Sequence, residues 1–169
     1  MKLDVRHFYP CTPERWWEMY WDEGFDALLN QDSTVDREVL DEREENGLLV
    51  RRLRFTPKQE LPAAAAKIVG AKKLVYEQIN TFDRTKGLLT WKVLPSFMDA
   101  SKFKAEGTLT AVPTGNGCES HVQGEITVSV MFIGGQIEKA IVTQTTEAYD
   151  RMAIRGKEWL SANPTGGQS

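Results

Sequence analysis

Residues 134–160 read GGQIEKAIVTQTTEAYDRMAIRGKEWL, and this stretch limits the folds open to the chain more than any other. Ile137, Ala140, Ile141, Ala148, Met152, Gly156 and Trp159 recur at helical spacing on one side, while Glu138, Lys139, Glu147, Asp150, Arg151, Lys157 and Glu158 fall mostly elsewhere. The pattern predicts one long amphipathic helix. At about 1.5 Å per residue it would run on the order of 40 Å, more than a single neighbouring helix of a small domain can cover, so a broad sheet is the expected partner. Gln144 and Thr145 interrupt the apolar stripe at its middle, where a packed core normally takes Leu or Ile. A helix raised off its sheet over a cavity accounts for them.

The strands for such a sheet lie upstream. Residues 2–9 alternate with Leu3, Val5, His7 and Tyr9 on one face, and Pro10 stops the run. Thr12 before Pro13 reads as a helix cap with proline at the first helical position, and Glu14 adds a favourable charge. The helix that follows pairs Trp16 with Tyr20 and Trp17 with Trp21 at four-residue spacing; Gly24 bends or ends it, and residues 25–29 make another helical piece. Alternation resumes over residues 35–43 and 48–56, on either side of an Asn46-Gly47 hairpin signal. Leu49, Arg51, Leu53 and Phe55 share a face there, so the Arg51 head either snorkels to water, pairs with a carboxylate such as Glu77 or meets a ligand.

LPAAAAKIVG, residues 61–70, has the alanine content of a short helix and a glycine at its end. Further strands are predicted over residues 73–82, 87–94, 102–112 and 120–130, with turns marked by Asp83 to Gly87, Pro95 to Ser101 and Pro113 to Gly117. On the last two the faces separate cleanly: Phe103, Ala105, Gly107, Leu109 and Ala111 on one strand, and Val122, Gly124, Ile126, Val128 and Val130 on the other, oppose charged and polar residues. The small residues Ala105, Gly107, Ala111 and Gly124 either leave room beneath the helix or mark bends of the sheet.

The expected fold is α+β: a curved antiparallel seven-stranded sheet wrapped around a long C-terminal helix, with short helices after strand 1 and after strand 3. That order resembles the helix-grip fold of the START-like (SRPBCC) superfamily. The run GTLTAVPTGNGCESHVQGEITVSVMFIGGQIEKAIV is similar to an uncharacterised bacterial branch of it, chiefly in the final strand, Gly134-Gly135 and Ile137-Glu138-Lys139, with LPAAAAKIVG as a second matching block. A short helix near LP and a terminal helix opening with an IEK-like sequence also resemble, more weakly, the PRELI-like lipid carriers. The resemblance spans residues 1–160, expected as a single START-like domain, and leaves residues 161–169 as a disordered tail. It implies a hydrophobic cavity between sheet and terminal helix, used by relatives for lipids, sterols, polyketides or other apolar ligands.

A net charge of -3 and a pI near 5.5 give no reason to expect nucleic acid, and no apolar run approaches a membrane span. The opening MKLDVRHFY lacks a basic region followed by an apolar one, so the cytoplasm is the expected location. Cys11 and Cys118 have no companions at metal-ligand spacing and read as structural; with His7 and His121 the only histidines, no metal and no cofactor is expected.

The leading expectation is a carrier or sensor of an apolar or amphipathic, lipid-like molecule. Its wall would come from Leu89, Trp91, Phe103, Leu109 and Ile126 of the sheet and Ile141, Gln144, Ala148 and Met152 of the helix, with His7, Tyr9 and Arg51 as polar anchors. Leu61 and Ile68, with Phe97 and Met98, are expected to form a lid, which could also touch a membrane surface or a partner; alternatively Phe97 and Met98 tuck back onto the body. An enzyme of the cyclase, dehydratase or hydrolase kind would draw an acid or base from His7, Tyr9, Arg51 and Glu77, but no spacing joins nucleophile, base and orienter. The third class is an interaction module without a ligand, for which the charged strand at residues 36–45 could be a docking edge or merely a solvated face.

Overall fold

Asn46 and Gly47 both take positive φ, 53° and 78°, the geometry of a tight two-residue hairpin turn, and join β2 (Val35–Glu45) to β3 (Leu48–Pro57). In this computed structural model, which describes residues 1–164, β4 (Tyr76–Asp83), β5 (Leu88–Pro95), β6 (Phe103–Thr114) and β7 (Gly117–Val128) continue the meander. β1 (Lys2–Tyr9) then pairs with β7, giving one antiparallel sheet in the order β1-β7-β6-β5-β4-β3-β2. The expected α+β helix-grip architecture with seven strands is the observed one. Two helices, α1 (Pro13–Tyr20) and α2 (Glu23–Gln31), follow β1; α3 (Ala63–Val69) links β3 to β4, and α4 (Gly134–Ala162) is the long helix.

Several boundaries move for local reasons. α2 begins at Glu23 because the Asp22 carboxylate accepts the Phe25 N–H at 2.8 Å, which caps the helix before Gly24 can break it. β4 starts at Tyr76, later than residue 73, and β7 starts at Gly117, earlier than residue 120, directly after the turn at Gly115 with its φ of 50°. α4 runs through Ala162, so the first two residues of the expected tail are helical, and residues 165–169 of that tail lie outside the described residues.

The two halves of α4 differ in packing. In the C-terminal half Met152, Ala153 and Gly156 are buried, and a Cβ at Gly156 would lie 2.7 Å from Tyr9 Cε1 and 3.2 Å from Met19 Sδ. The helix is therefore seated hard against β1 and α1 at that end. Thr145, Thr146 and Tyr149, before it, are only half-buried. α1 brings an aromatic cluster under the sheet: Trp16 stacks on Tyr20 with centroids 5.4 Å apart, and Trp17 lies 4.5 Å from Phe82.

One inward-facing row crosses the whole sheet in register. It runs Glu42, Arg51, Asn80, Trp91, Gly107, Gly124, Leu3, passing from ion pair to amide to indole to glycine. The Trp91 ring lies over the two glycines, so that a Cβ at either would come within 2.5 Å of its Cζ2. The space that Gly107 and Gly124 leave is thus filled by Trp91 and not by a cavity.

The turn from β7 into α4 holds Met131 and Phe132 at 78% and 93% exposure, and Phe132 adopts φ 69°, the left-handed region that asparagine tolerates better than phenylalanine. Phe132→Asn is therefore expected to leave the thermal midpoint unchanged or raise it slightly, by less than about 1 kcal/mol in stability, measured by differential scanning calorimetry.

Candidate functional site

On β6, β7 and the inner end of β5 every large inward side chain is buried. On β3, β4 and the far end of β5 this is not so: Arg51, Phe55, Tyr76, Gln78 and Val93 point under the helix by strand alternation and remain half-buried. On α4 the stripe that continues Met152 and Gly156 toward the N-terminus is Ile141, Thr145 and Tyr149, and it too is half-buried. Half-burial on both elements marks the region between the first half of α4 and the β3–β5 side of the sheet as the part of the interior that solvent still reaches, the candidate cleft.

Its polar groups are few and mostly paired. Arg51 Nε lies 2.6 Å from Glu42 Oε2, and its guanidinium sits 4.8 Å from the Trp21 ring centroid. Arg37 holds Asp26 at 2.8 Å, and Gln78 Nε2 donates to Oδ1 of the buried Asn80 at 2.7 Å. Burial raises the phenols of Tyr20 and Tyr149 and pushes that of Tyr76 up to about 12. The ionisable groups near enough to bear on the Tyr149 phenol are Tyr20, Tyr9, Tyr76 and Arg37, which gathers the tyrosines of β1, α1, β4 and α4. They stay neutral at ordinary pH, so they serve as hydrogen-bonding groups and not as bases. Among the described residues the buried indole N–H groups of Trp16, Trp17, Trp21 and Trp91 have no hydrogen-bond partner.

Of the expected ligand wall, Arg51 and Ile141 line this cleft. Leu89, Trp91, Phe103, Leu109, Ile126 and Met152 are buried in the core, as is Tyr9, whose ring centroid is 5.8 Å from that of Trp16. Gln144 and Ala148 do not face the sheet: both are exposed, because the helix turns Thr145 and Tyr149 inward instead. His7 does face α4 but is held by Asp150, Nε2 to Oδ1 2.8 Å, at the β1 edge. Glu77 lies on the outer face, 2.6 Å from Arg52 Nε and 3.4 Å from Arg54 Nη2, so the carboxylate partner of Arg51 is Glu42.

The expected lid divides in two. Phe97 is buried edge-on against Phe103 at 5.6 Å and Met98 packs on the core, so that loop is folded back. Leu61 and Ile68 belong to the α3 segment, which buries none of its helical residues; Ile68 is exposed, and Leu61 N–H closes the loop onto the Lys72 carbonyl at 2.7 Å. Sequence reasoning passed over Tyr20, Tyr76, Gln78, Asn80 and Tyr149. The available signal was the in-register placement of Tyr76, Gln78 and Asn80 opposite Phe55, Leu53 and Arg51.

Among the described residues no helix is long and apolar enough to cross a membrane, and no group of three or more His, Cys, Asp or Glu is placed to hold a metal ion. A family model described as "Protein of unknown function (DUF2505)" matches residues 4–160. The chain belongs to the DUF2505 family. No curated protein matches this DUF2505 chain by sequence. Among solved structures it is similar to TTHA0849 from Thermus thermophilus, 17% identical, with 98% of this chain and 100% of that one covered and a TM-score of 0.66. It is also similar to the Zhui aromatase/cyclase from a Streptomyces species, 12% identical over 98% and 99% of the two chains with a TM-score of 0.61. DR_A0006 from Deinococcus radiodurans is 18% identical over 95% and 99%, with a TM-score of 0.54. At these identities the likeness is one of fold, and it agrees with a helix-grip, SRPBCC-like architecture for the DUF2505 chain.

Proposed function

We propose that this chain binds an apolar or amphipathic small molecule in the cleft between β3–β5 and the first half of α4, as a carrier or sensor acting in the cytoplasm. The observation that carries the reading is a contrast in burial: β6 and β7 pack fully, whereas Phe55, Tyr76 and Val93 of the sheet and Ile141 and Tyr149 of α4 stay half-buried. Covering such surface with apolar ligand would supply most of the affinity. A polar end would be oriented by Arg51, by the tyrosine hydroxyls and by the indole N–H of Trp21. Lipids are the first class to test, on the weaker resemblance of a short helix near LP and a terminal helix opening with an IEK-like sequence to the PRELI-like lipid carriers. Cargo exchange by transient membrane contact belongs to the same proposal, and Met131 and Phe132 would make it, since Phe97 and Met98 are folded inward.

The fold shared with an aromatase/cyclase supports a second reading, an enzyme acting on a hydrophobic substrate in the same cleft. The upward-shifted phenols, and the carboxylates Asp26 and Glu42 tied to arginines, favour binding over proton transfer near neutral pH.

Native mass spectrometry of the purified protein, with organic extraction of what is released, tests the proposal directly. A near-stoichiometric lipid- or polyketide-sized adduct is expected, and Thr145→Trp should weaken rebinding of the extracted molecule by about tenfold or more while the fold is kept. A protein that stays empty after exposure to a cellular lipid extract sinks the carrier reading. Equal binding by a folded Thr145→Trp variant places the ligand elsewhere.

A further inference from the structure

Cys11 and Cys118 are far apart in the chain but meet in space. Cys118 is the second residue of β7 and pairs in register with Tyr9; just past Tyr9 the chain turns back, with the Cys11 N–H donating to the Tyr9 carbonyl at 2.9 Å. The two sulfurs come to 3.9 Å, within hydrogen-bonding distance of one another. Their surroundings are unequal: Cys118 is fully buried, whereas Cys11 is half-exposed. We infer that Cys11 is a thiol oxidation site and that Cys118 is its resolving partner, so that mild oxidation by a peroxide closes a reversible Cys11–Cys118 disulfide.

Three features favour reaction at Cys11 first. Cys11 is the more exposed of the two residues. It stands one residue before the Thr12 cap of α1, where the positive end of the helix and the Arg15 side chain favour a thiolate. The hydrogen bond between the two sulfurs lowers the Cys11 thiol, against its partial burial and with Arg15 adding to the effect, while the same bond and burial raise Cys118. The buried thiol thus keeps its proton until the exposed one has reacted.

The chemistry closes with peroxide as the oxidant. The Cys11 thiolate attacks one peroxide oxygen, the O–O bond breaks, hydroxide leaves, and Cys11 becomes a sulfenic acid. The Cys118 sulfur then attacks the Cys11 sulfur, the S–O bond breaks, the Cys118 proton goes to the departing hydroxide, and water leaves as the S–S bond forms. Two electrons pass from the thiols to the peroxide. A dithiol reductant reverses the product. With the two residues 107 positions apart, the bond would join distant parts of the chain at the point where β1 gives way to α1.

The test is hydrogen peroxide treatment of the full chain, followed by intact mass, alkylation of free thiols and peptide mapping. The wild type is expected to lose the mass of two hydrogens, to resist alkylation until dithiothreitol is added, and to give tryptic peptides 7–15 and 105–139 joined by a disulfide. Its thermal midpoint should rise by about 5 °C or more on oxidation and fall back on reduction. Cys118→Ser should stop at the sulfenic acid, trapped by dimedone, and Cys11→Ser should stay unmodified under the same exposure. Two alkylatable thiols in the treated wild type, or oxidation of Cys11→Ser as fast as wild type, overturns the assignment.

Discussion

Gly107→Ala is expected to lower stability by about 4 kcal/mol and the thermal midpoint by about 10 °C. The added Cβ would land on the carbonyl oxygen of Gln123 in the neighbouring strand, 2.5 Å from Trp91 Cζ2 and 2.7 Å from Gly124 Cα. Two of those neighbours are backbone and cannot rotate away, so β6 and β7 must part or the indole must leave its place. Gly135→Ala is the control: nothing lies within 4 Å of its would-be Cβ, and alanine suits a helix better than glycine. Thermal melts of both variants decide the matter. If Gly107→Ala melts with the wild type, the tight glycine-to-glycine pairing of β6 with β7 is wrong.

Alkaline solution should unfold the protein steeply. All four tyrosines of the chain, Tyr9, Tyr20, Tyr76 and Tyr149, have phenols raised by burial, Tyr76 to about 12. In the unfolded chain each ionises near about pH 10, so below that pH the stability tied to these groups is fully present. Above it the unfolded state releases protons that the native state retains. Each tyrosine then removes up to about 1.4 kcal/mol per pH unit until its own raised value is reached. By about pH 12 four such groups remove up to about 11 kcal/mol, comparable with a total stability of about 5 to 15 kcal/mol, so unfolding is expected near that pH. Absorbance of tyrosinate, followed alongside circular dichroism, should show both signals changing together in a narrow interval. Gradual ionisation near pH 10 with the fold intact would mean that the phenols are not held as described. Tyr149→Phe should make the fall shallower.

Much of the architecture was legible because it rests on local chemistry. The Asn46-Gly47 turn, the Thr12-Pro13 helix start and the alternation of Phe103 to Ala111 each specify an element with little help from distant residues. The cleft was harder to read, for two physical reasons. Glycine and alanine in a strand suggest room, but whether it stays empty depends on a large side chain one strand away, here Trp91. The inward phase of α4 at mid-helix is carried by Thr145 and Tyr149, and tyrosine, apolar in body and polar at its tip, was not counted in a stripe built on Ala140 and Ala148. Arg51 showed itself as a lone charge among apolar neighbours, but its partner across the hairpin, Glu42, depends on a register shift between Val39 and Asp41 that the sequence does not announce.

That shift sits on β2, which ends the sheet and carries charge along nearly its whole length. Arg43 bonds Asp41 and Glu45 beside it, Arg54 and Lys58 reach across to Glu38 and Asp36, and the irregularity breaks the even row of backbone groups that an incoming strand would need. A strand from another molecule laid along this margin would have to strip water from those side chains and match a kinked ladder. Edge-to-edge growth of the sheet from molecule to molecule is therefore disfavoured at this border.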